Sequence, residues 1–166
     1  ISDDHSPYSS QVYPSLPASA RTLVDYLLLR GRTDHIATVY ALTDTGTQRS
    51  ETISLLLGES RMIHEIVAFA TPSYESLQSS VRSVMSALER VKKLGFRTIV
   101  LSMEFALDEL PVIADAAEEL GLNNGDYMWI IFGEAEPGAF HTNNTNATKL
   151  LRGSARLGPI GIEGHL

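Results

Sequence analysis

Cysteine is absent from this 166-residue chain. That removes disulfides, thiolate metal sites and a cysteine nucleophile, and it leaves the redox compartment open. Clustered positive charge is lacking too: 20 Asp and Glu stand against 13 Lys and Arg, for a net charge of −7. Binding nucleic acid through a basic face needs clustered Lys and Arg to neutralise phosphates, so no nucleic-acid partner is expected. No apolar run is long enough to cross a bilayer as a helix. Three signature loops are missing as well. The first apolar run is followed by no G-x-G-x-x-G, and neither a phosphate-binding P-loop nor a G-x-S-x-G elbow occurs. The chain opens on Ile1 without a basic-then-apolar leader, which reads as a mature or excised piece. His5, His35, His64, His141 and His165 are scattered, and none stands at metal-ligand spacing to another. His35 and His64 fall at or within apolar runs and read as ordinary sheet residues, so neither metal nor cofactor is expected.

What is present is a repeated grammar of short apolar runs and amphipathic segments. The length suits one domain with a substantial core. The clearest unit lies between Phe96 and Pro137. An apolar run, Thr98 to Met103, leads to an amphipathic segment, Leu107 to Leu120. The turn cluster Gly121-Leu122-Asn123-Asn124-Gly125 follows, then a second apolar run, Tyr127 to Phe132, ending at Gly133-Glu134. Strand, helix, turn and strand make a βαβ unit, whose strands lie parallel with a right-handed connection.

Upstream the same pattern recurs. Residues Ile1 to Pro17 are polar and proline-bearing and read as irregular. A helix capped by Ser19 runs to about Arg30, with Leu23, Leu27 and Arg30 on one stripe and Val24 and Leu28 beside it. Ile36 to Ala41 is the first strand. The turn Leu42-Thr43-Asp44-Thr45-Gly46 then opens a helix to about Leu57, with Asp44 or Thr45 as its cap. Met62 to Phe69 is the second strand. The longest helix starts near Tyr74 or Ser76 and reaches Leu94, with Leu77, Val81, Val84, Met85, Leu88, Val91 and Leu94 at helical spacing. Beyond Gly133 comes a loop, a short helix over Ala147 to Leu151 and a candidate fifth, edge strand over Gly153 to Leu157. Alternating strands and helices predict an α/β fold, a three-layer doubly wound parallel sheet in order 2-1-3-4.

Ligands of such sheets sit beyond the carboxyl ends of the strands. That rule nominates Thr43-Asp44-Thr45, Ala70-Thr71, Ser102-Met103-Glu104 and Gly133-Glu134. Capping alone would also explain polar residues there. Asp108, Asp115, Glu118 and Glu119 stand at helical spacing and read as a solvated face rather than an acid/base pair. Asn123-Asn124 reads as a turn, and Tyr127 and Trp129 as core. Two triplets, Asn143-Asn144-Thr145 and Asn146-Ala147-Thr148, have the form of N-glycosylation acceptors, a form that also arises by chance in Asn/Thr-rich loops.

Several stretches together resemble the receptor-type ligand-binding region, the periplasmic-binding-protein type I fold shared by natriuretic-peptide, metabotropic glutamate and GABA-B receptors. Tyr127-Met128-Trp129-Ile130-Ile131-Phe132-Gly133, with Glu136-Pro137 after it, is similar to a strand and turn of GABA-B-type ectodomains. The preceding Glu118-Glu119-Leu120-Gly121-Leu122 fits it, as do Tyr13-Pro14-Ser15 before the helix over Ala20 to Leu29. Ile36 to Tyr40 leading to Asp44-Thr45-Gly46, and Lys149-Leu150-Leu151-Arg152-Gly153-Ser154, extend the likeness over most of residues 13–157.

The resemblance implies one lobe, mainly the second, of a Venus-flytrap clamshell. Residues 1–17 would lead in from a missing first lobe, 18–157 would form the α/β lobe, and 158–166 would run toward the hinge. Closure of the lobes on a small molecule is the signal in such receptors. By position, the ligand-contacting residues would be Thr43, Asp44, Thr45, Thr71, Ser102, Glu104, Gly133 and Glu134. An aromatic found at the positions of Thr45 and Thr71 in several amino-acid-binding members is missing here. The implied protein is a non-enzymatic, extracellular receptor half-domain for an amino-acid-like molecule, with the other lobe and a second receptor copy as partners. Glu134 or Glu104 would accept from an ammonium group, and Thr43, Thr45 or Ser102 would hydrogen-bond a carboxylate. The competing readings are a soluble Rossmann-like enzyme or nucleotide-binding domain, and a pure interaction module.

Overall fold

Strands covered on both faces lose the polar alternation of half-exposed ones, and the two central strands here have lost it completely. The structure, a computed structural model, describes residues 15–33, 35–70, 77–102, 109–133 and 142–157. The expected lead-in before residue 15 and the tail from 158 lie outside them. The elements run α1 (Leu16–Leu29), β1 (Ile36–Ala41), α2 (Asp44–Glu59), β2 (His64–Phe69), α3 (Leu77–Leu94), β3 (Thr98–Ser102), α4 (Glu109–Glu119), β4 (Met128–Phe132), α5 (Thr145–Gly153) and β5 (Ala155–Leu157). Every residue of β1 and β3 is buried.

All five strands pair in parallel, in the order β2-β1-β3-β4-β5. The expected order 2-1-3-4 and the edge strand are therefore both present. In the register, Tyr40 stands beside Ser102 and Ser102 beside Phe132, so β3 and β4 end level and β1 runs one residue further.

Side chains alternate between the faces. One face carries Ala37, Val39, Ile99, Leu101, Trp129 and Ile131, and packs on Val84, Leu88 and Val91 of α3, Leu110, Ile113 and Ala117 of α4, and Leu150 of α5. The other carries Ile36, Val100, Ile130 and Phe132 against Leu23 and Leu27 of α1 and Ile53 and Leu57 of α2. Each fully buried Leu, Ile or Phe contributes about 1.5–3 kcal/mol by leaving water.

Several helix boundaries and stripes differ from expectation. Helix α1 begins at Leu16 with Ser15, not Ser19, at the cap position, and Pro17 sits in its first turn. Proline fits there because the first helical N–H groups have no intrahelical partner. Leu28 is 50% exposed and Arg30 is exposed, so the α1 stripe is Ala20, Leu23, Val24 and Leu27. In α3 the buried stripe is Ser80, Val84, Ala87, Leu88 and Val91, while Val81 and Leu94 face outward. Helix α5 starts two residues before Ala147, capped by Asn144, whose Oδ1 accepts from the Ala147 N–H at 2.7 Å.

Candidate functional site

The chain reverses its winding between β1 and β3. From β1 it crosses by α2, on the face shared with α1, to β2 at the edge. It then returns by α3 on the opposite face to β3, on the far side of β1. The helices that follow β1 and β3, α2 and α4, lie on opposite faces of the sheet, the arrangement that places a ligand crevice beyond the carboxyl ends of such strands. This switch point is bounded on one side by Thr43, Asp44 and Thr45 and on the other by Ser102.

Thr43 is the cap of α2, in place of Asp44 or Thr45. Its Oγ1 accepts from the Gly46 N–H at 3.0 Å, and its own N–H donates to Ala41 O at 2.8 Å. The strand-to-helix turn is tight enough to require Gly46: a Cβ there would lie 2.1 Å from Ala41 O. Asp44 and Thr45 are exposed on the first turn of α2, where the helix dipole favours the Asp44 carboxylate. Leu42 is 59% exposed beside them.

Ser102, the last residue of β3, is fully buried, and its Oγ has no hydrogen-bond partner among the described residues. Alternation points it to the α1/α2 face in a row with Tyr40 and Phe132. Thr38 lies one pleat below Tyr40 on that face, and its Oγ1 is also buried and unpartnered. A buried hydroxyl without a partner costs roughly 1–3 kcal/mol, so two on one face mark a place where a further polar partner is wanted.

At the tip of β2, two α3 serines hold Ala70: Ser83 Oγ accepts from its N–H at 2.8 Å, and Ser80 Oγ donates to its carbonyl at 3.4 Å. Gly133, after β4, has φ 152° and donates to Leu157 O at 3.2 Å, bridging to β5. Thr71, Glu104 and Glu134 lie outside the described residues. Of the sequence candidates, then, Thr43, Asp44 and Thr45 follow β1, Ser102 ends the neighbouring β3, and Gly133 follows β4 at the same end of the sheet. No family model and no curated protein matches this chain.

Sequence reasoning passed over two buried residues that carry polar groups. Tyr40 reads as strand core and stands beside Ser102 in the register. Arg49 is buried and partnered. Spacing held the signal, because Gly46, Arg49, Ile53 and Leu56 fall on one helical stripe. No group of three or more His, Asp or Glu placed to hold a metal occurs among the described residues. His64 opens β2, and its ring takes part in two hydrogen bonds, to Ser54 Oγ at 2.8 Å and Met62 O at 3.0 Å. His35 packs edge-on against Phe96. What the switch point presents to solvent is the first turn of α2, with Asp44 and Thr45 exposed, while Ser102 stays fully buried at the end of β3.

Proposed function

We propose that this chain is one lobe of a two-lobed, extracellular, non-enzymatic receptor domain that closes on an amino-acid-like small molecule. The observation that carries the reading is the switch point between β1 and β3, flanked by Thr43, Thr45 and the unpartnered Ser102 hydroxyl. Hydroxyls at that place can hydrogen-bond a carboxylate, and Asp44 supplies charge for an ammonium group. Glu104 and Glu134, further carboxylates next to the strand ends in sequence, belong to the same reading. The resemblance to receptor ligand-binding regions supports it, since the positions it assigns are those the strand-end rule selects. A single lobe supplies one wall only. The second lobe completes the contacts, and its closure is the signal.

The alternative, a Rossmann-like enzyme or nucleotide-binding domain, rests on the same crevice and on the start of α2 beside it. One observation weighs against a phosphate there: Thr43 Oγ1 already takes the Gly46 N–H that a phosphate oxygen would use. Titration calorimetry on the protein with its companion lobe, using amino acids and nucleoside phosphates as separate ligand sets, tests the choice. Amino-acid binding weakened about ten-fold or more by Thr45→Ala is the expected result. Nucleotide binding, or amino-acid binding indifferent to Thr45→Ala, would reject the reading.

A further inference from the structure

The two glycosylation-type triplets are three residues apart, yet the fold treats their asparagines differently. Asn146 sits in the first turn of α5, half-buried, in the seam between α4 and α5. Its Nδ2 donates to Asp115 Oδ1 of α4 at 2.8 Å, and its carbonyl accepts from Asn123 Nδ2 at 3.1 Å. Asp115 also accepts from Asn144 Nδ2, at 3.1 and 3.2 Å to its two oxygens. Just below, Lys149 pairs with Glu118 at 2.7 Å. A sugar ring on Asn146 Nδ2 would stand on the nitrogen that joins the two helices. Asn143, by contrast, lies in the coil before α5 and is exposed, and the hydroxyl residue of its triplet, Thr145, is exposed as well. Among the described residues, none hydrogen-bonds the Asn143 side chain.

We propose that the folded chain carries an N-linked oligosaccharide on Asn143 and not on Asn146. This rests on the extracellular reading above, because the modification belongs to the secretory route. The donor is an oligosaccharide joined to a polyprenyl diphosphate. The bond from sugar C1 to the diphosphate oxygen breaks, and its electron pair leaves with the diphosphate. A C1–Nδ2 bond forms, and the amide gives up one proton to a base of the transferase. One N–H remains on Nδ2, and nothing is oxidised or reduced. At Asn143 the product projects into solvent. At Asn146 it would wedge α5 from α4.

The test is to secrete the 166-residue chain from a eukaryotic host behind a supplied leader. Occupied asparagines are then mapped by glycosidase release in heavy-oxygen water and peptide mass spectrometry. One glycan is expected, on Asn143, lost in Asn143→Gln and in Thr145→Ala and retained in Asn146→Gln. The melting temperature of Asn143→Gln should match that of the enzymatically deglycosylated chain. A glycan on Asn146, on both asparagines, or on neither in the secreted folded protein overturns the proposal. Because the leader is supplied, the mapping does not depend on the native route. The receptor reading fails separately, in the ligand titration.

Discussion

At the scale of single residues, Ser102 at the end of β3 and Gly46 in the first turn of α2 make opposite predictions. Ser102 buries a hydroxyl that has no partner among the described residues. Replacing such a group by an apolar one removes a desolvation cost without breaking a bond. Ser102→Ala should leave the isolated chain as stable as before, or more stable by up to about 1 kcal/mol, in denaturant unfolding. On the proposed two-lobed reading it should also weaken ligand binding several-fold. A loss of stability without loss of affinity would mean that the hydroxyl serves only the fold. Gly46→Ala places a methyl against backbone rather than against a movable side chain. We expect it to cost at least about 1–3 kcal/mol, the usual range for overpacking, seen as a lower urea midpoint at unchanged slope. The carboxylates divide in the same way. Glu118 is half-exposed and pairs with Lys149, a kind of ion pair worth about 0–1 kcal/mol. Glu134, beyond the described residues, follows an apolar run and a glycine in the sequence and belongs to the proposed site. Glu118→Gln should therefore leave dose–response unchanged. Glu134→Gln should shift it by about ten-fold or more, the worth of a charged hydrogen bond of roughly 1.5–3 kcal/mol. Equal response constants for the two variants would remove Glu134 from the site.

At the scale of elements, α5 depends on α4 for more than apolar packing. Asp115 alone accepts from both Asn144 and Asn146, and Asn144 is also the cap of α5. Asp115→Ala frees both amides together. Because these hydrogen bonds lie at the surface, the loss should be modest, about 1 kcal/mol, but it should be local. Hydrogen exchange is expected to rise in α5 and β5 while β1 and β3 keep their protection. A uniform rise across the sheet would show that α5 is part of the global folding unit. The same element shows what was legible in sequence. A short helix near Ala147 was foreseeable from its leucines. Its true start depended on Asn144, and one Asn-rich stretch offers several caps with nothing local to choose among them. Asn123 is a parallel case. It reads as a turn residue and occupies one, yet its side chain also braces α5 across 23 positions of sequence.

At the scale of the whole molecule, the proposed receptor reading gives this chain one wall of a two-walled site. Half the contacts, without closure, leave little surplus after the cost of association. Calorimetry of the isolated chain with amino acids should find nothing tighter than about millimolar, a regime near −4 kcal/mol. Micromolar binding by this chain alone would count against the missing-lobe reading.

Strand and helix order, the parallel sheet and the edge strand were all readable from the sequence, because runs buried on both faces and helices of regular period leave patterns a few residues long. The candidate tips were readable too, since they follow from strand ends. Tertiary structure alone decided which side of a helix is buried: Val81 and Leu94 have the right period but face outward, while Ser80 faces in. It also decided that Thr43 spends its hydroxyl on a cap while Ser102 keeps its hydroxyl unpaired. Period constrains a face only to within a residue or so around the helix, and the neighbouring layer selects among the choices. Whether a hydroxyl is satisfied depends on groups brought within about 3 Å by the fold, a distance that local pattern does not encode.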